Sequence, residues 1–347
     1  MIYQTIPNIM KVTSQLYGQF LLNSQINYTG TYLADHIEGL DHNSIYRYLK
    51  NEKLSPRLIW ENVKDEIIYS DNGKIIFDDC VLPKKHSRKI EGTKNQYAGC
   101  EKGLVRGIGI VNCIYYNPDT TEYWLIDYRM YDPPIDGKSK LDHMKEMLGM
   151  IQHRKITFSD VLMDTWYATT EMMMVIHKMG KRFFCPIKCN RNVDDKIEFS
   201  IGKFNHVNAQ NLTWSDEELK HGKLINLKGL NINLKLFQIV LNTKKTELIV
   251  TNDLTQNSAD DCQKMTANRW KIEEFHRAEK QLTGIGKCEC RLNRSQRNHI
   301  CIAMLVWVRL KNLAQKMKIT IYQVKNRLLD NYMVEQMRNP SVLFVVK

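Results

Sequence analysis

Asn268-Arg269-Trp270-Lys271-Ile272-Glu273-Glu274-Phe275-His276-Arg277-Ala278-Glu279-Lys280 is the stretch whose reading decides the fold. Wound as a helix at about 100° per residue, it places Arg269, Glu273, Arg277 and Lys280 within an arc roughly 80° wide. Ala267, Phe275, Ala278 and Leu282 fall opposite. One face can pack, while the other sets a carboxylate among cations. Two readings fit that face alone: a solvated helix laced by i,i+4 ion pairs, or a site holding a metal ion beside a phosphate backbone. The rest of the chain has to separate them.

Working outward, composition narrows the classes. The 347 residues give room for two or three domains, and 43% hydrophobic with 25% charged residues is ordinary for a globular protein. Fifty Lys+Arg against 38 Asp+Glu leave a net charge of +12, which points to a polyanionic partner, most simply nucleic acid. No apolar run approaches the roughly 20 residues of a membrane span; Ile300 to Val308 is too short. The opening, Met1 to Pro7, lacks the charged start and apolar core of a secretory signal, so an intracellular, cytoplasmic protein is expected. Nine cysteines without framework spacing read as free thiols. Cys185-x3-Cys189 and Cys288-x-Cys290 are poor zinc knuckles, and Cys185 belongs to an apolar, strand-like run.

Residues 1–68 read as helical. Val12 to Leu22 is amphipathic; then a short helix from Tyr32, a turn at Gly39 and a second helix carrying Ile45 and Leu49 resemble a helix-turn-helix, with a plain helical subdomain as the other reading. The second helix would turn His42, Asn43, Tyr46 and Arg47 outward, Arg47 toward DNA. Residues 69–190 change character. Strands are expected at Lys74–Leu82, Gly103–Tyr116, Tyr123–Tyr131, Val161–Met163 and Arg182–Ile187, with helices at Leu141–Ile151 and Thr169–Met179. That order, β-β-β-α-β-α-β, predicts an α/β, RNase H-like catalytic core: a mixed sheet flanked by helices. Residues 191–250 read as a β-rich insertion, with pieces at Lys196–Ile201, Lys223–Leu227, Asn231–Val240 and Thr246–Val250. The core then resumes over 251–315, with the quoted helix and an apolar helix from Asn298 to Gln315. A helical tail fills 316–347, including a helix at Ile321–Met337.

Acids interrupt two of these strands. Asp78-Asp79 break an apolar run, and a charge in a buried-type strand is costly unless it binds something. Asp164 ends Val161-Leu162-Met163, at the carboxyl end of a parallel strand, where ligands of open α/β sheets gather. Each could instead be a turn or helix cap. Together with Glu273 they give three carboxylates from separate elements, the set that two hard divalent ions need for phosphodiester chemistry.

These residues resemble bacterial insertion-sequence DDE transposases, the group with a β-strand-rich insertion and a Tyr-x2-Arg-x3-Glu-x6-Lys signature. Arg269-x3-Glu273-x6-Lys280 matches in spacing and identity, with Thr266 where the family has tyrosine. Asp78-Asp79-Cys80 followed by Lys84-Lys85, Asp164-Thr165-Trp166-Tyr167, and Lys188-Cys189-Asn190-Arg191 match further family segments. The resemblance implies Asp79, Asp164 and Glu273 as catalytic metal ligands for two Mg²⁺ or Mn²⁺ ions, with Asp78 as the neighbour of the first. It implies Arg269, Arg277, Lys280, Lys84 and Lys85 as DNA contacts. It further implies cleavage at the ends of an element, joining of the 3′-hydroxyl to target DNA, recognition of terminal inverted repeats on double-stranded DNA, a dimer in the DNA complex, and a place at the bacterial nucleoid. Some relatives flip a base out onto an aromatic in the insertion, for which Trp214 is the candidate here, a core tryptophan being the equal alternative. A metal-dependent nuclease or resolvase without strand transfer would share the same acids, and an inactive DNA-binding derivative would have lost some of them.

Overall fold

The computed structural model describes residues 11–85, 88–195, 206–242 and 245–342. Helices α1 (Ser14–Asn23), α2 (Gly30–Asp35), α3 (His42–Asn51) and α4 (Arg57–Val63) come first. Strands β1 (Lys74–Pro83), β2 (Lys94–Ala98), β3 (Gly103–Asn117) and β4 (Glu122–Tyr131) follow, then α5 (Pro133–Asp136), α6 (Lys140–His153), β5 (Asp160–Met163), α7 (Thr170–Lys178) and β6 (Arg182–Ile187). The expected insertion holds β7 (Asn192–Asp194), β8 (Val207–Asn208), α8 (Asp216–His221), β9 (Lys223–Leu227), β10 (Asn233–Asn242) and β11 (Lys245–Thr251). Last come α9 (Ala259–Ala267), α10 (Trp270–Leu282), α11 (Asn293–Met317), α12 (Ile321–Arg327) and α13 (Asp330–Arg338). The strand expected at 196–201 lies outside the described residues. One helix was expected over 321–337; two form, parted at Leu328–Leu329.

The chain makes two compact units. The first, Glu66–Cys80 with Ile110–Glu273, is built on a sheet in the order β4-β3-β1-β5-β6-β11-β10-β9-β7-β8. Its inner part, β4-β3-β1-β5-β6 flanked by helices, is the RNase H-like arrangement. Strands β1 and β5 run parallel in the register Lys74↔Asp160 to Phe77↔Met163, and β5 is parallel to β6. Their apolar runs (Ile75-Ile76-Phe77, Val161-Leu162-Met163, Phe183-Phe184) are fully buried, as strands covered on both faces must be. Helix α6 packs on β4, α7 on β6, and α9 on β6 and β10. Local chemistry starts these helices: Ser139 and Asp142 form a reciprocal capping box on α6, while Thr169 and Ser258 cap α7 and α9. The insertion continues the core sheet, since β11 pairs antiparallel with β6 and β10 with β11.

A buried ion cluster fastens the start of the three parallel strands. Lys74 Nζ reaches Asp160 Oδ2 at 3.0 Å, and Arg182 reaches the same carboxylate through Nε at 2.6 Å and Nη2 at 3.1 Å.

The second unit comprises the described residues up to Asp65, Val81–Gly109, and those from Glu274 onward. Helix α11 is its axis, and α1, α3, α4 and α12 pack on it. Asn298 on α11 is buried and closes the end of α3: Nδ2 donates to the carbonyls of Leu49 and Glu52, and Oδ1 accepts from Leu54 N. The Tyr17 hydroxyl meets His299 Nδ1 at 2.8 Å. The N-terminal helices, expected as a region of their own over 1–68, are thus sealed onto the C-terminal ones. Ile45 and Leu49 of α3 are buried while His42, Asn43, Tyr46 and Arg47 are exposed, the facing expected from their spacing. Among the described residues, no helix is long and apolar enough to cross a membrane.

Candidate metal centre

Parallel pairing decides which strand acid enters the site. In-register residues of parallel neighbours project to the same face, and successive residues alternate. The Lys74–Asp160 ion pair shows that Lys74, Ile76 and Asp78 share a face with Asp160, Leu162 and Asp164. One step beyond Phe77↔Met163, Asp78 is therefore set beside Asp164. Asp79 turns to the other side.

The side chains follow that parity. Asp78 is buried, and a carboxylate oxygen of Asp78 and one of Glu273 lie within 4.8 Å of each other. Burial, then the charges of Asp164, Glu273 and Asp79, hold the Asp78 carboxyl well above its ordinary value. Glu273 stands in the first turn of α10. His276 stands one turn on along that helix. Burial and the nearby Lys280 push the His276 imidazole down to about 3, so it is neutral.

Asp164 sits just past β5, where its Oδ1 accepts the backbone N–H groups of Trp166 at 2.9 Å and Tyr167 at 3.1 Å. Its carboxyl is raised by burial; the Tyr167 N–H and Arg269 act against that, Asp79 with it. Asp164 is electrostatically tied to the other acids but is outside the tight Asp78–Glu273 pair. Arg269 lies 3.8 Å from Glu273 and favours the charged form of Asp164. Helices α9 and α10 break at Asn268–Arg269, so this arginine sits in a joint between two helices. Thr266, where the resemblance expects tyrosine, turns its hydroxyl back on its own helix, to the carbonyls of Cys262 and Gln263.

Two expected site residues have partners of their own. Asp79 takes Lys140 Nζ on Oδ2 at 2.6 Å and the Tyr167 hydroxyl on Oδ1 at 3.0 Å, so strand parity gives the inward position to Asp78. Lys84 is buried, donating from Nζ to the carbonyls of Gly286 and Cys288; it fastens a turn and has no surface to offer DNA. Of the other expected DNA contacts, Arg47 and Arg277 are exposed, Lys280 is half-buried, and Lys85 is exposed but paired with Glu101 at 2.7 Å. Trp214 is half-buried with Lys223 Nζ 5.8 Å from its ring centre.

Sequence reasoning passed over Lys140, Tyr167 and His276. Lys140 opens α6, and its Nζ lies 5.4 Å from the ring centres of both Tyr131 and Trp166. Nothing in its spacing marks it. His276 could have been found, because it follows Glu273 at i+3 on the quoted helix. Cys185 is fully buried in β6, as its apolar neighbours suggested, and the described cysteines are free thiols.

A sequence-family model described as "Transposase DDE domain" matches residues 135–309, half of the chain. No curated protein matches. Among solved structures, endonuclease V from Ciona intestinalis, in complex with a 24mer DNA containing an inosine followed by a ribo-adenosine, is 9% identical with a TM-score of 0.30, covering 69% of this chain and 98% of its own. That likeness is too distant to bear on the site. Asp164 and Glu273 both fall inside the matched span, and it is to this family, the DDE-domain transposases, that the chain belongs.

Proposed function

We propose that the protein cuts phosphodiester bonds at the ends of an insertion element and joins the freed 3′-hydroxyl to target DNA, using Asp78, Asp164 and Glu273 as its acids. The observation that carries the reading is the meeting of Asp78 with Glu273, with the charge of Asp164 felt by the same carboxyl. Burial and the neighbouring acid charges raise the Asp78 carboxyl, and a divalent ion removes that penalty. The donors are hard carboxylate oxygens, a set that suits Mg²⁺ or Mn²⁺. Asp78 and Glu273 would hold one ion, with Asp164 completing a second position. Bound there, the ions supply charge neutralisation of the phosphate and activation of the attacking oxygen.

The chain's own residues do the remaining work. Arg269, beside Glu273 and Asp164, is placed to pair with a phosphate oxygen next to the scissile bond. Two backbone N–H groups fix the Asp164 carboxylate before any ligand arrives. Asp79 is a positioning residue: through Lys140 and Tyr167 it ties β1 to α6 and to the turn after β5. Arg277 and Lys280 extend the cationic side of α10 for phosphate contacts, with Lys85 and Arg47 as outlying ones. The sequence segments 1–68, 69–190, 191–250, 251–315 and 316–347 are kept as the working division into a helical DNA-binding region, first core part, insertion, second core part and tail. The substrates are then double-stranded element ends and target DNA, two subunits acting together on two ends, at the nucleoid in a bacterial cytoplasm.

An assay with Mg²⁺ or Mn²⁺, a pre-cut 3′-hydroxyl end and a plasmid target tests this. Metal-dependent joining is the expected result. Cutting without joining would leave a nuclease, and neither reaction would remove the proposal.

A further inference from the structure

Away from the acids, wholly within the second unit, is a cleft of about 650 Å³. That volume lies inside the ~300–1,000 Å³ range of pockets that hold organic ligands. One wall is α3, and the other is the segment 287–292 that leads into α11. Ile45 and Leu49, both buried, give it an apolar interior, and Tyr17, Tyr28 and Tyr46 line it with rings. Exposed cations stand on both walls: Arg47 and Lys50 on α3, Lys287 and Arg291 opposite, against the single exposed acid Glu289.

Both walls are held from behind. The Cys288 carbonyl accepts from Lys84 Nζ and Gln296 Nε2, and Gln296 also donates to the Cys290 carbonyl. Across the cleft, the Tyr46 ring lies against Gly30 of α2, where an added Cβ would come 3.1 Å from Cζ and push the ring by a few tenths of an ångström. The cleft is thus a preformed feature, aromatic and apolar inside and cationic outside.

We propose that this cleft is a second nucleic-acid site, taking a nucleotide of unpaired DNA with its base among the tyrosines and its phosphates on Arg47, Lys50, Lys287 and Arg291. The inference rests on DNA being the substrate. Aromatic rings with flanking cations are the chemistry that binds single strands, because every base has a stacking face and every residue of the strand a phosphate. A second copy of this chain fits poorly, since it carries a net charge of +12 to a cationic cleft. The site also gives α3 a role different from a recognition helix in a major groove: its cations would border a strand entering the cleft.

Cys290 lines the cleft and is half-buried, and its thiol is lowered from the ordinary value chiefly by the hydrogen bond from Cys288, with burial opposing and Lys84 assisting. It is therefore a built-in reporter for alkylation. Iodoacetamide labelling of the full chain, read peptide by peptide, would be followed with and without a short single-stranded deoxyoligonucleotide and its duplex, with exposed Cys189 as the control thiol. The single strand is expected to slow Cys290 labelling at least fivefold and the duplex much less, with Cys189 unchanged. Tyr46→Ala and Lys50→Ala should each weaken single-strand affinity about tenfold by fluorescence anisotropy. Oligonucleotide binding that leaves the Cys290 rate unchanged would overturn the cleft while sparing the proposed function. Failure of all DNA to bind would remove both. Protection that grows with protein concentration in the absence of DNA would assign the cleft to a second copy and overturn the proposal.

Discussion

At the scale of single residues, neighbouring aspartates carry different duties, and substitution separates them. Asp78→Asn removes a carboxylate from the pair with Glu273, so metal-dependent cleavage should fall by about 10²-fold or more. Asp79→Asn weakens the hold on Lys140 and Tyr167, and a loss of about tenfold is expected, within the range for a partner of the ligand shell. Cleavage assays on both variants check this; a larger loss for Asp79→Asn would return the first ligand to that residue. A different acid governs pH. Glu279 on α10 is fully buried, neither carboxylate oxygen has a hydrogen-bond partner, and burial, against the pull of Lys280, raises its carboxyl to about 8. A raised acid favours folding in its protonated form. Its contribution is whole below the unfolded value of about 4.5 and is lost as pH climbs through about 8. Glu279→Gln, uncharged at every pH, should therefore raise the melting temperature at pH 9 and change it little at pH 4, as thermal denaturation across that range would show.

At the scale of elements, strands and helices were legible because each carries its own period. The runs at 74–82, 161–163 and 182–187 are apolar enough to be buried on both faces, and each became a parallel strand of the core. The signature helix formed with Phe275, Ala278 and Leu282 of its apolar arc buried, while Ala267 is exposed. What a single strand cannot show is which of two adjacent acids faces inward, for that parity belongs to a pair of strands. The β1–β5 register fixes it, and register is set by partners 86 positions apart, as Lys74 and Asp160 are. Hairpin strand β2 and the joint at Asn268–Arg269 were likewise invisible, because both depend on what the chain packs against. The cluster that locks this register can be tested. Burial works to raise the Asp160 carboxyl, but the Arg182 hydrogen bond, the Lys74 charge and Ser159 outweigh it and leave it lowered. Its contribution is present above the ordinary carboxylate range and lost as pH falls through the depressed value. Lys74→Met should cost about 3 kcal/mol, the low end for breaking a buried pair because Arg182 remains, and should shift acid unfolding to higher pH. Urea titrations at neutral and acidic pH measure both effects.

At the scale of the whole molecule, the chain's two ends share one unit, and that governs how it can be cut. An N-terminal region carrying a short helix pair suggests a detachable DNA-binding module. The hydrogen bonds argue otherwise. Asn298 on α11 spends its amide on Leu49, Glu52 and Leu54, His299 takes the Tyr17 hydroxyl, and Lys325 of α12 donates to the carbonyls of Leu21 and Leu22 at the end of α1. Each bond joins residues more than 240 positions apart, in a unit where most of the first half of α11 is buried. Removing residues 1–65 would uncover that half of α11 and leave Asn298, His299 and Lys325 with buried polar groups and no partners, at about 1–3 kcal/mol for each. The truncated chain is expected to aggregate, as exposed apolar surface of that extent does. Asn298→Ala applies the same reasoning to an intact chain. It should lower stability by about 2–3 kcal/mol, and it should loosen the end of α3, detectable as faster amide exchange at Leu54 and neighbouring residues. A soluble, cooperatively folding 66–347 fragment would show that the N-terminal helices are a separate module after all.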